Sequence, residues 1–415
     1  DSKKREYVMK LTQTNGVWQF PFTAALFDTN GNKIQEKTEW VKKKEHTIKW
    51  KNVKDPAFVS VNRGLSFFGK VLCKQTDEEL MLQVWKDDDI VNRYMAWYQL
   101  VDKEKMNLLD GGKVSSKIVD LFYSLLTDRE LMHSVGTQFL AIFESVEDEK
   151  YAHRYQELYN MKKKLLKEIA VKYEKELVNL YHTYDKKTSK GNFLDRQIYN
   201  IKHRGVKNSC LGILSILDKP EIHKLIRNQL DNARSATDLV TALRLYVNSS
   251  AKDKMKVLHK YQKIMSKNLV SWESFLYVVG GNDNKDYIKL IKDVEKSRQF
   301  RIDQANDQRG LFVSFAHNKK KSLQTAAGRA FLKYVIVKLA RINEYTTGRI
   351  LNIFGNVEKM EKKYWVPVIG VMVDCLNDLD AKKQPSVCNT LKRILSKLPK
   401  ARRVYEKVNG KIIFA

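Results

Sequence analysis

One change of period governs what this chain can fold into. Up to about residue 75 apolar residues alternate with polar ones; from Thr76 to the end they recur at helical spacing, segment after segment, with short polar joints between. Helices are expected at Ser115 to Leu126, Arg129 to Phe143, Glu149 to Tyr184, Phe193 to Leu217, Glu221 to Asn228 and Ala236 to Val247. The run continues through Met255 to Met265, Ser271 to Val279, Tyr287 to Glu295, and four or more beyond. A helix pair buries its apolar faces only by stacking on its neighbours, so this run predicts a HEAT/armadillo-like α-solenoid over residues 76–415. Thr76-Asp77-Glu78-Glu79 is a capping run for the first helix, its acids placed where the helix dipole favours them.

The earlier residues alternate at Tyr7 to Thr12 and Phe20 to Phe27, with further short strands at Thr47 to Trp50 and Phe58 to Val61. Asp28-Thr29-Asn30-Gly31-Asn32 reads as a hairpin turn, since Asn and Gly tolerate positive φ. A small antiparallel β-sandwich over residues 1–75 is the expectation. The chain is thus mainly α, a solenoid preceded by a sandwich.

Composition narrows the function classes. With 43% hydrophobic residues, no low-complexity run and 6 prolines in 415 residues, the chain is globular throughout. Its formal charge of +28 invites a nucleic-acid reading. Yet the lysines are scattered (Lys42 to Lys44, Lys162 to Lys164, Lys319 to Lys321), and no helix-turn-helix, zinc finger or aromatic RNA-binding run is present. A solvated, lysine-rich exterior is expected, with no specific nucleic acid as partner and non-specific adhesion to polyanions at low salt. Cys73, Cys210, Cys375 and Cys388 are widely spaced and form no CxxC pair, which fits free thiols in a reducing, cytoplasmic setting. No apolar run reaches the length of a membrane span. The chain begins without a methionine, its start DSKKREYVMK lacks the apolar core of a signal peptide, and it reads as a piece of something longer.

Catalytic signatures are missing. None of the eight histidines begins an HExxH motif, and GxxxxGK[ST] and GxGxxG are absent. Gly280-Gly281-Asn282-Asp283-Asn284 lacks EF-hand spacing and is read as a helix-to-helix turn. His133 and His153 fall in helical stretches with no second ligand nearby, as polar or surface histidines do.

The stretch with most chemistry in it runs from Asn306 to Phe354. Arg309 and Arg349 stand forty residues apart there, close to the period of helix-pair repeats, so equivalent positions would line one concave face. Two readings of the residues alone stay open: solvated surface charges, or a cationic pair in a groove. A guanidinium suits the second, because its planar fork binds a carboxylate or carbonyl at two points and stays charged at any working pH.

These residues also carry a resemblance. Asn306, Arg309, Phe315 and Asn318 (NxxR then FxxN), then Gly328, Phe331, Leu332 and Arg349, are similar to the C-terminal helical domain of aminopeptidase N, the zinc alanyl aminopeptidases of bacteria and apicomplexan parasites. Upstream, the KLTQT strand, PFTAALFDTNGNKI and Arg63-Gly64-Leu65-Ser66 resemble the β-sandwich that links catalytic and helical domains in that family. Phe67-Phe68-Gly69-Lys70 departs from its usual Ala-Pro-Val. Arg93-Tyr94 with Ala96, Arg204, Asn208, Cys210-Leu211, Thr237-Asp238, Ala242-Leu243 and Trp272 match further helices, so the likeness runs from about Tyr7 to about Leu398.

The resemblance implies a non-catalytic region that caps the active-site chamber of a zinc aminopeptidase. Arg309 and Arg349 would touch the peptide beyond the scissile bond, while Asn208 and Asp238 would tie helix ends together. It further implies no cofactor in this chain, zinc in a catalytic domain outside it, and two partners: that N-terminal catalytic domain and short peptides. An α-solenoid protein-binding scaffold and a catalytically dead homologue are the competing expectations.

Overall fold

The computed structural model describes residues 5–186 and 191–413. The chain divides into two compact units, residues 1–118 and 119–415.

The first unit holds β1 (Glu6–Thr12), β2 (Phe20–Phe27), β3 (Lys33–Val41), β4 (Glu45–Lys51) and β5 (Phe58–Val61), followed by helices α1 (Asp77–Lys86) and α2 (Ile90–Leu109). β1 pairs with β4 in a two-stranded sheet, and β2 lies between β3 and β5 in a three-stranded one, all antiparallel. The expected turn forms as an Asx turn: the Asp28 carboxylate accepts from the Asn30 and Asn32 backbone N–H groups at 2.9 and 2.8 Å, and Gly31 takes φ +86°.

β2 explains why its sequence is nearly unbroken apolar. Phe22, Ala24 and Leu26 point to a core shared with Val41, Ile48 and Trp50, while Ala25 and Phe27 join Phe58 on the other face, against Leu82 of α1. A strand covered on both faces cannot alternate. Each large side chain buried here contributes on the order of 1.5–3 kcal/mol. In the segment that departs from the aminopeptidase N pattern, Phe67 stacks on Phe20 at 4.4 Å and joins this core.

Arg63 is the polar centre of the unit. Only 8% exposed, it donates to Glu36 (3.0 Å), Ser60 (2.9 Å), Asp87 (2.8 Å) and Asp88, with its guanidinium over the Phe27 ring. Thr76 and Glu79 form the expected capping box at the start of α1.

The remaining helices are α3 (Ser116–Thr127), α4 (Arg129–Ser134), α5 (Tyr155–Lys172), α6 (Glu174–Tyr184), α7 (Phe193–Leu214), α8 (Pro220–Asp231), α9 (Ala236–Val247), α10 (Lys254–Met265), α11 (Leu269–Gly280) and α12 (Tyr287–Glu295). After these come α13 (Ala305–Gln308), α14 (Ser314–His317), α15 (Lys319–Ser322), α16 (Ala326–Ala340), α17 (Glu344–Leu351), α18 (Trp365–Asp378), α19 (Pro385–Ser396) and α20 (Pro399–Asn409). Alternate helices touch: α5 with α7, α7 with α9, α9 with α11, then α16 with α18, α18 with α20, and α17 with α19. That two-row stacking is what an armadillo-like solenoid consists of.

Two expected helices break. The one over Arg129 to Phe143 stops at Ser134, because Gly136 turns to φ +89° and a short 3₁₀ turn, Thr137–Leu140, follows. The long one from Glu149 to Tyr184 begins at Tyr155 and divides at Tyr173, which stands outside helical geometry. Its ring stacks on Tyr123 at 3.9 Å and its hydroxyl donates to Asp120 at 2.6 Å, so tertiary contacts outweigh helix propensity there.

Asn208 and Asp238 tie helices together. The Asn208 amide donates to Asp238 at 2.9 Å, and the buried Lys207 ammonium bridges Asp185 (2.8 Å) and Asp238 (2.9 Å). Gln229 of α8 donates to Asn208 at 2.7 Å, which closes a network across α7, α8 and α9.

Candidate functional site

The segment carrying Arg309 is not a plain helix. Between α13 and α14 it opens into a π-helical turn, Arg309–Val313, a geometry that recurs at functional positions. It lies directly on α11. A Cβ at Gly310 would stand 2.7 Å from Leu276 Cβ, and one at Gly280 would run into the Leu311 carbonyl oxygen, so both positions need glycine.

Arg309 is about one third exposed and lightly held. Its Nη2 donates to Asn306 Oδ1 at 2.5 Å and reaches Glu273 Oε1 of α11 at 3.4 Å, while its Nε is buried without an acceptor. The neighbours are firmly fixed. Trp272 Nε1 donates to Asp307 at 3.0 Å, Asp307 also accepts from the Arg301 backbone at 2.9 Å, and Gln308 donates to the Ile302 carbonyl at 2.7 Å.

Gln308 also connects the two arginine segments. Its Oε1 accepts from the Asn343 side chain at 3.0 Å, and Asn343 in turn caps α17 by accepting from the Thr346 N–H at 3.1 Å. One turn on, Arg349 is exposed; its Nη2 donates to the Tyr345 hydroxyl at 3.0 Å and its guanidinium lies 5.1 Å over the Tyr345 ring. Tyr345 is 73% exposed. Its hydroxyl is held below the ordinary tyrosine pKa, first by the Arg349 hydrogen bond, then by the Arg349 charge and by that of Arg309. Arg349 thus bears directly on the phenol oxygen, and Arg309 adds the smaller charge effect. Sequence reasoning named the arginines and missed Tyr345, although an Arg four residues after a Tyr on a helix is a contact pair.

The other residues of the motif are structural. Phe315 is buried against Phe331 and Tyr287, and Asn318 donates to the Asn282 carbonyl at 3.3 Å, tying the turn after α11 to α14.

A groove of about 900 Å³ runs along the solenoid, with Glu144, Tyr159, Lys162, Arg244, Asp283 and Lys320 among its lining residues; Arg309 and Arg349 are not part of that lining. Here the expectation of a solvated lysine exterior needs correction. Lys319, Lys320 and Lys321 are partly or fully buried, each ammonium over a different tyrosine ring: Tyr155 at 5.2 Å, Tyr159 at 4.3 Å and Tyr287 at 5.3 Å. Lys320 also pairs with Glu144 (3.0 Å) and Asp283 (3.1 Å).

Among the described residues, no group of three or more His, Cys, Asp or Glu side chains could hold a metal ion, and no helix is long and apolar enough to cross a membrane. The four cysteines are free thiols; burial pushes Cys210 and Cys375 up to about 12.

Helices stacked in two rows are the architecture of an armadillo-repeat protein. Residues 77–398, most of the chain, match the family described as a domain of unknown function with ARM repeats, DUF3458_C, and the chain belongs to that family. Its structure is also similar to the crystal structure of Legionella pneumophila aminopeptidase A in complex with aspartic acid. That match has a TM-score of 0.80 at 18% sequence identity and covers 96% of this chain and 48% of the other. The chain therefore spans about half the length of the solved protein, and the likeness establishes the fold.

Proposed function

We propose that this chain is the C-terminal, non-catalytic region of an aminopeptidase N-like zinc metallopeptidase. Residues 1–75 are its linking sandwich, and residues 76–415 are a solenoid that caps the active-site chamber and restricts entry to short peptides. Arg309 and Arg349 hold the downstream part of the substrate. The observation that supports this most is geometric: Gln308 and Asn343 join the two arginine segments, Arg349 donates to the exposed Tyr345 hydroxyl, and Arg309 has only a 3.4 Å contact with the Glu273 carboxylate.

The chemistry follows from that arrangement. A peptide carbonyl or terminal carboxylate approaching Tyr345 meets two cations, one of them in a fork geometry suited to two-point hydrogen bonding. Excluding bulk water strengthens both contacts. In this reading hydrolysis belongs to the catalytic part outside this chain.

The test is kinetic. Joined to its catalytic part, Arg309→Ala or Arg349→Ala is expected to raise KM for dipeptides and tripeptides by about five- to thirtyfold, roughly 1–2 kcal/mol of lost binding. A chromogenic alanyl amide with nothing beyond the scissile bond should change little. Equal losses on both substrates would make the arginines supports of the fold. A second reading, an α-solenoid scaffold, draws on the groove of about 900 Å³; it expects a folded protein partner to bind this chain with unaltered affinity after both arginines are removed.

A further inference from the structure

A second cavity, of about 400 Å³, is walled by α6, α7 and α8 and by the start of α9. Its most buried wall is the network around Lys207 and Asp238. There one ammonium answers two carboxylates, Asp185 at 2.8 Å and Asp238 at 2.9 Å, so that wall keeps one negative charge in excess. Arg204, Arg234 and Lys186 line the cavity as well. None of the three has an ion pair or a side-chain hydrogen bond among the described residues. The cavity thus carries surplus negative charge on its buried wall and uncommitted cations elsewhere.

Two acceptors in the same cavity lack a donor. Gln229, 5% exposed, gives its Nε2 to Asn208 Oδ1 (2.7 Å) and to the Asp238 carbonyl (3.2 Å), while its Oε1 is buried with no partner. His203 is the second. Its Nδ1 is likewise buried and unpartnered, and its ring stands edge-on to Tyr184 at 4.7 Å. The ring is hydrogen-bonded to the Lys186 backbone, and burial lowers its pKa. A neutral imidazole that donates through Nε2 presents Nδ1 as an acceptor. Buried acceptors without donors are destabilising, so two in one cavity call for an occupant that brings N–H groups.

We infer that this cavity binds a small zwitterion of the amino acid or dipeptide class, its ammonium held by Gln229 Oε1, His203 Nδ1 and the surplus carboxylate charge, and its carboxylate by Arg204 and Arg234. The chemistry matches at both ends. An ammonium brings three donors and no acceptor, and a carboxylate brings only acceptors to two guanidinium forks. A lone anion would satisfy the arginines and leave both acceptors empty; a lone amine would do the reverse. The volume is that of a small-ligand pocket. The inference is independent of the peptide reading, since neither Arg309 nor Arg349 lines this cavity.

The experiment uses the 415-residue chain with ¹³C-labelled histidine rings, the His203 signal being assigned by its loss in His203→Gln. Alanine and Ala-Ala are each titrated at constant pH and ionic strength, and the tighter of the two identifies the source of the zwitterion. Saturable movement of the His203 signal is expected. Capping the ammonium (N-acetyl-alanine, N-acetyl-Ala-Ala) or the carboxylate (alaninamide, Ala-Ala-amide) should weaken binding about tenfold or more. Arg204→Gln combined with Arg234→Gln breaks no ion pair within the chain; it should weaken the zwitterion to the level of its amide and leave the amide unchanged. The single variant Arg234→Gln, at an exposed position, gives the same direction of change should the double variant fold poorly. No movement with either compound, equal movement with the capped forms, or a response that survives the arginine variants would each overturn the site.

Discussion

Arg63 in the first unit and Arg349 in the second carry the same head group under opposite conditions. Arg63 is buried and gives its donors to Glu36, Ser60, Asp87 and Asp88. Arg349 is exposed and gives Nη2 to one uncharged hydroxyl. A cation whose fork is already filled by carboxylates has little left for a ligand, whereas one resting on a phenol has most of its hydrogen-bonding capacity in reserve. Arginine count says nothing about function here; how fully each fork is occupied does.

The largest effect that can break this comparison is at Arg63. Arg63→Met leaves the buried Asp87 carboxylate unpaired and should cost about 3–5 kcal/mol, read from the midpoint of chemical denaturation. A loss under 1 kcal/mol would put Arg63 in the same class as Arg349. Next comes Lys320→Met, which removes two ion pairs and the cap over Tyr159; about 1–3 kcal/mol of stability should be lost. No change would restore Lys319 to Lys321 to the solvated exterior.

At the small end, Arg349→Ala should leave stability within about 0.5 kcal/mol, because an exposed side chain contributes little to the fold. Its signature is spectroscopic. Tyr345 should titrate below 10.0 in the unmodified chain, and its transition, followed by tyrosinate absorbance, should move upward in the variant. The sign for folding follows: an acid with a lowered folded pKa contributes stability that is present above the unfolded value and lost as pH falls through the folded one. A titration of Tyr345 that ignores Arg349→Ala would mean that the hydrogen bond between them does not persist in solution.

The elements that were legible from sequence are those whose causes are local. Thr76 and Glu79 stand at capping-box spacing, Asp28 to Asn32 contains the residues an Asx turn needs, and the solenoid helices carry their period openly. What was hidden depends on distant partners. Tyr173 interrupts a helix because Tyr123 and Asp120 hold it elsewhere, and a lysine run looks solvated until Tyr155, Tyr159 and Tyr287 arrive from other helices to cover it. Of the candidate site, the arginines were visible through their spacing and motif. The π-helical turn and the role of Tyr345 follow from packing on α11 and from the capping of α17, which no short-range pattern encodes.

The contact between Gly280 and Gly310 gives Arg309 a datum. Because a Cβ at Gly280 would meet the backbone of the π-helical turn and one at Gly310 would meet Leu276, the height of Arg309 above α11 is set by how closely these two glycines let the segments approach. A methyl group at either glycine would lift the guanidinium away from Asn306 and Glu273 while leaving its charge intact. The two glycines thus act as a mechanical stop, and the tolerance of this surface for error is measured in tenths of an ångström.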